Sequence, residues 1–151
     1  MIRSEHHTLL NIEQDIDVAG VAADEGWKQI RIRFFEGQAS GSENCCMFRA
    51  SFPPGAAHER HFHPNADEFF YLIGGRAAVG AEDEEHVATP GTVQFIPAGK
   101  VHWLRNLDRE EPVEVVGIYV GGRTLEEAGY EYVGEIEQQH MKASANQGEK
   151  P

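Results

Sequence analysis

Cysteine is scarce in this chain of 151 residues: there are two, Cys45 and Cys46, and they are adjacent. Neighbours on a strand point to opposite faces, so the pair is poorly placed to bridge itself. A chain with no disulfide framework is expected in a reducing, intracellular compartment. One buried hydrophobe and one outward thiol is the simplest reading of the pair. Positive charge is also short, with 13 Lys and Arg against 25 Asp and Glu and a formal net charge of −12. Such a surface repels phosphate backbones and anionic lipid, which argues against nucleic acid or membrane as partners. No apolar run reaches the roughly 18 residues that a membrane-spanning helix needs. The first seven residues, Met-Ile-Arg-Ser-Glu-His-His, are polar with no signal-peptide core behind them, so a cytoplasmic protein is expected. A Ser-His-Asp arrangement, a phosphate-binding glycine loop and a CxxC pair are likewise missing.

Turn-forming residues are plentiful. Sixteen glycines and seven prolines are spread along the chain, and hydrophobic residues make up 40%. That composition suits an all-β fold with many turns and a real core. One domain is expected over 1–141, with a barrel core at about 28–121 and a polar, disordered tail over 142–151. Lys28 to Phe35 alternates as a strand, with Ile30, Ile32 and Phe34 on one face. Cys45 to Phe52 does the same with Cys46, Phe48, Ala50 and Phe52. Glu68 to Ile73 is apolar on both faces, so it needs cover outside as well as inside, from a partner subunit or the C-terminal segment. Gly74-Gly75 reads as a tight turn, with Arg76 to Ala81 returning as a hairpin partner. Glu82 to Glu85 reads as a charged turn. Thr124-Leu-Glu-Glu127 is a capping box that starts a short helix ending at Gly129. Tyr130 to Met141 is expected to add a strand and a helix. Eight or more short strands with regular turns point to a closed or double-sheet β architecture.

Two histidine-bearing stretches stand out within Gly55 to Asn106. His61 and His63 are two apart, a spacing that puts both on one face of a strand. A turn of four residues follows before Glu68, and His102 comes 34 residues later on a separate strand. His102 joins the others only if the sheet folds back, which a small barrel provides. Three imidazoles and a carboxylate are an N/O ligand set suited to a first-row transition metal.

These stretches resemble the two motifs of the cupin superfamily. Gly55, His61, His63, Glu68 and Gly75 fit the first, G-x5-H-x-H-x3–4-E-x6-G. Gly91, Pro97, Gly99, His102 and Asn106 fit the second, G-x5-P-x-G-x2-H-x3-N. The resemblance implies a double-stranded β-helix (jelly-roll) barrel, here with a short C-terminal helix and strand extension. It implies one divalent transition metal per chain, Fe, Mn, Zn, Ni or Cu, held by His61, His63, Glu68 and His102. It also implies a homodimer, which would cover Glu68 to Ile73. Glu68 is a further candidate for moving protons. Phe48, Phe52, Phe70, Leu72 and Leu104 share the parity of inward positions and are candidates to contact a substrate, with Gln94 as a polar contact. Arg49 faces outward by its neighbours. Tyr119 competes with Ile118 for the inward face, and His58 reads as a loop residue. The function that follows is a metal-dependent enzyme acting on a small organic molecule, an O2-dependent dioxygenase first. Its alternatives are a non-redox isomerase, decarboxylase or lyase, and a binding or sensor module of the same fold.

Overall fold

The computed structural model describes residues 6–137. The expected tail, 142–151, lies outside them, as does the end of the expected strand and helix over 130–141. In chain order the strands are β1 (Trp27–Lys28), β2 (Arg31–Phe35), β3 (Cys45–Phe52), β4 (Ala57–Phe62), β5 (Asp67–Gly74), β6 (Ala77–Ala81), β7 (Glu84–Ala88), β8 (Val93–Ile96), β9 (His102–Asn106), β10 (Val113–Val120) and β11 (Glu131–Gly134). Among the described residues three single-turn α-helices accompany them, α1 (Ile12–Asp15), α2 (Gly37–Ser40) and α3 (Leu125–Ala128), with a 3-10 turn at Ala23–Glu25. The strands form two antiparallel sheets. One runs β1-β4-β9-β6-β7, with β11 also on β4; the other runs β2-β3-β10-β5-β8. The fold is a jelly roll.

The alternating patterns face the way their periodicity requires. On β3, Cys46, Phe48, Ala50 and Phe52 are buried while Met47 faces outward. Full burial of side chains such as Phe48 or Leu72 contributes about 1.5–3 kcal/mol each. Two expected elements are corrected. Lys28 to Phe35 is not one strand, because Gln29 adopts a left-handed conformation (φ 61) and carries the chain from one sheet to the other. Ile30 and Ile32 still point into the core. Nor do β5 and β6 form a hairpin: β5 pairs with β10 and β8, and β6 with β7 and β9. Gly74-Gly75 is instead a crossing between sheets. Gly75 has φ 85, and a Cβ there would collide with the Pro112 carbonyl oxygen.

Glu82 to Glu85 is only half a charged turn. Glu85 is buried on β7, where it accepts from Trp103 Nε1 at 2.8 Å and pairs with Arg105 at 3.0 Å. Trp103 packs with Ala57 and Ile136 in a small second core on the outer side of that sheet. The other sheet is different outside. Strand β5 buries Glu68, Phe70 and Leu72, but Phe69, Tyr71 and Ile73 stay 44–48% exposed. Val93 and Phe95 on edge strand β8 extend this apolar face. The C-terminal segment does not supply the cover among the described residues, since β11 pairs with β4 in the opposite sheet.

Candidate metal centre

His61 on β4, His63 just beyond it, and His102 at the start of β9 meet because β4 and β9 are paired, with His61 directly opposite His102. All three are buried, and one nitrogen from each lies within 4.8 Å of the others. Glu68, at the start of β5 in the opposite sheet, puts Oε1 at 3.2 Å from His63 Nε2 and 3.3 Å from His102 Nε2. The three histidines singled out by their spacing thus form one cluster between the sheets, and Glu68 lies beside two of them, His63 and His102.

Backbone carbonyls orient the rings. Nδ1 of His61 lies 2.6 Å from Glu59 O, Nδ1 of His63 lies 2.7 Å from Gly129 O, and Nδ1 of His102 lies 2.9 Å from Lys100 O. A carbonyl only accepts, so each Nδ1 carries the proton and each Nε2 turns its lone pair inward. The Nε2 atoms of His63 and His102 are buried without a hydrogen-bond partner. Two orphaned lone pairs converging on a carboxylate lack one thing, a positive charge between them. A divalent metal fits that donor set. Burial opposes ionisation of Glu68, but its contacts with His102 and His63 outweigh that and hold the carboxyl well below the usual range. His61 is pushed the other way: burial, then the nearby His58, His102 and His63, lower its pKa and keep the ring neutral, as a ligand must be.

Periodicity missed several residues around this centre. His58 is no loop residue. It lies in β4, and the register between β4 and β9 shifts between His58 and His61, so two positions three apart both face inward. The His58 ring stacks on His61 with centroids 3.6 Å apart and on Trp27 at 4.0 Å. Its Nε2 is 3.1 Å from the Tyr130 hydroxyl, which donates to Glu25 O. That hydroxyl has one proton to give, so it accepts from His58 Nε2–H. Burial, with His102 and His63 nearby, lowers the His58 pKa as well. Tyr119 wins the inward face of β10: it is buried opposite Glu68, with its ring 4.7 Å from His63, and Ile118 turns outward. Burial and the Glu68 charge raise the Tyr119 pKa well above its ordinary value, so the hydroxyl stays protonated.

A narrow cavity of about 40 Å³, partly open to solvent, adjoins His61, Glu68 and His102. Phe48, Phe52, Phe70 and Leu104 line it, as their parity implied, and so do His58 and Tyr119. Leu72 and Gln94 are corrections, since neither lines it. Leu72 sits one pleat beyond Phe70, is fully buried, and lies under the turn into β8 through its bonds to Gly91 and Thr92. Gln94 is on edge strand β8 opposite Phe70, off to the side of the cavity, with Oε1 buried and unpartnered. Arg49 lies on the outer surface, bound to Glu114.

Against known proteins, the model of the cupin domain matches residues 48–119, a span that contains all four candidate ligands. The chain belongs to the cupin superfamily. This cupin is 29% identical over 90 residues to germin-like protein subfamily 3 member 2 of Arabidopsis thaliana, covering 56% of this chain and 37% of that one. The match therefore spans little more than a third of that relative's length. Among solved structures, a cupin-like protein from Thermotoga maritima superposes with a TM-score of 0.68 at 19% identity, over 86% of this cupin and 95% of that chain. An oxalate oxidase in complex with the substrate analogue glycolate gives 0.62 at 20% identity, over 78% and 60%. At these identities the likeness is one of fold. Trp27 and Tyr130, which pack on His58, lie outside the matched span.

Proposed function

We propose that this cupin is a metal-dependent enzyme acting on a small organic molecule, and that its reaction is an O2-dependent dioxygenation. The observation that carries the metal is the pair of buried, unpartnered Nε2 atoms of His63 and His102 converging on the ionised Glu68. His61, His63, His102 and Glu68 would hold one divalent ion; iron or manganese is the choice consistent with dioxygenation. When bound, the metal supplies Lewis acidity and, for a redox-active ion, electrons for O2. The chain's own residues do the rest. Glu68, held ionised, accepts a proton from a substrate hydroxyl as that oxygen arrives. The Tyr119 hydroxyl, held protonated beside Glu68, donates to the same region and orients it. Phe48, Phe52 and Phe70 exclude water from the reacting group. The oxalate oxidase among the structural relatives supports an oxidative reading by fold alone.

We also propose that the enzyme is a homodimer. The apolar outer face of Met47, Phe69, Tyr71, Ile73, Val93 and Phe95 supports it.

The test of function is metal content together with O2 consumption. Protein loaded with Fe(II) or Mn(II) should carry about one ion per chain and take up O2 with some members of a panel of enolic and phenolic compounds. Turnover without O2 uptake would replace the dioxygenase by an isomerase, decarboxylase or lyase. Less than about a tenth of an ion per chain would remove the metal site.

A further inference from the structure

Resting on the metal reading above, we infer that the substrate is a molecule with an uncharged, apolar body and a single ionisable oxygen, which it presents to the metal. The cavity decides this by what lines it. Beyond the metal end its wall is Ile30, Ile32, Phe48, Phe52, Phe70 and Val115, and no lysine or arginine is among the lining residues. The arginines of β2 and β3 are of no help to a ligand. Arg31, Arg33 and Arg49 lie around a separate depression on the outer surface, where Arg49 pairs with Glu13 and Glu114.

Charge balance at the metal end sets how much negative charge a ligand brings. A divalent ion and one ionised carboxylate leave a net charge of one positive unit, since the three imidazoles bind as neutral ligands. One ionised oxygen on the substrate, an enolate, a phenolate or one carboxylate, brings the buried centre to neutrality. A second negative group would have to lie among aromatic and branched aliphatic side chains with no cation or fixed donor facing it. Burying a charge so placed is strongly unfavourable. A small dianion is therefore excluded by the wall and not by the metal. The Tyr119 hydroxyl suits the single oxygen: it sits beside Glu68 at the metal end of the cavity. His58, stacked on His61, has its one N–H committed to Tyr130 and offers that oxygen no donor.

The experiment compares two ligands with the same metal-binding head on zinc-loaded protein, where no redox reaction intervenes. One is 4-methylpentanohydroxamate, with an apolar tail. The other is succinic monohydroxamate, whose tail has nearly the same shape and ends in a carboxylate. Zinc content is measured first, and binding is then measured by titration calorimetry. The expected result is that the alkyl compound binds tighter by about tenfold or more. Equal affinity, or tighter binding of the carboxylate compound, overturns the inference. So does the absence of binding by both to protein shown to hold zinc. Failure to hold zinc at all overturns the underlying metal reading, and the zinc measurement reports that outcome separately. Phe70→Leu, which keeps the wall apolar, should preserve the preference for the alkyl tail.

Discussion

Three carbonyl oxygens, those of Glu59, Lys100 and Gly129, decide which nitrogen each ligand histidine presents. With Nδ1 protonated by that contact, only Nε2 can ligate, and the Nε2 atoms of His63 and His102 face Glu68 Oε1. Removing one ring should therefore remove a ligand without a substitute. His102→Ala is expected to lower metal affinity by about 100-fold or more, read by competition with a chromophoric chelator, while far-UV circular dichroism stays unchanged. The same buried rings make the metal-free protein acid-sensitive. Burial lowers the pKa of both His58 and His61 from 6.5, so the unfolded chain binds more protons than the folded one just below that value. Their contribution is fully present above pH 6.5 and declines as the pH falls. Glu68, depressed in the fold, acts in the same direction at lower pH. Each histidine can contribute a slope of up to about 1.4 kcal/mol per pH unit. The melting temperature of the apo protein should fall between pH 7 and pH 5, and a flat profile would contradict neutral burial of the two rings.

At the scale of the element, the segment from α3 to β11 belongs to the site as much as β4 does. It brings the Gly129 carbonyl to His63 and the Tyr130 hydroxyl to His58. Gly129 has φ 82 and ψ 154, and a Cβ there would lie 2.6 Å from Pro64 Cγ. Gly129→Ala should shift the carbonyl and weaken metal binding by about 10–100-fold. Thr124→Ala removes the side chain that accepts from Glu127 N at the start of α3, and should cost about 1 kcal/mol of stability with little change in metal affinity. Measuring both variants by chelator competition and thermal melting separates the two roles. The contrast also marks what could be read in advance. The capping box at Thr124 and the alternation of Cys46, Phe48, Ala50 and Phe52 are local signals, carried by residues close in sequence. The ligands of β4 and β9 could be read because period-two spacing and turn residues frame them. His58 could not, because a register irregularity reverses its parity. Tyr130 and Gly129 could not, because what makes them functional is a contact with β4 or with the residues that follow it, some 66 residues earlier in the case of His63. Gln29 hid the division of its strand, since a left-handed glutamine leaves no compositional mark.

Over the whole molecule, the exposed row of Phe69, Tyr71 and Ile73 beside Val93 and Phe95 predicts self-association. Light scattering should give about twice the chain mass of 16.8 kDa. Phe69→Glu combined with Phe95→Lys should return the mass to that of one chain, with metal content preserved. Because each copy carries −12, added salt should tighten the dimer by screening repulsion between the two copies. The order of strand pairing has a consequence of another kind. Among the described residues only β2–β3 and β6–β7 pair with a sequence neighbour; the other ladders join distant segments, and His61 meets His102 only when β4 and β9 zip together. Non-local pairing of this sort makes for slow folding. A metal ion offered to the unfolded chain thus finds no assembled cage to bind, and the cage forms late. Zinc should then leave the refolding rate nearly unchanged and slow unfolding by about the full factor it adds to stability, as stopped-flow traces with and without the ion will measure. For a cell making this protein, the moment of metal selection falls after folding, in whatever compartment the finished barrel first meets free metal.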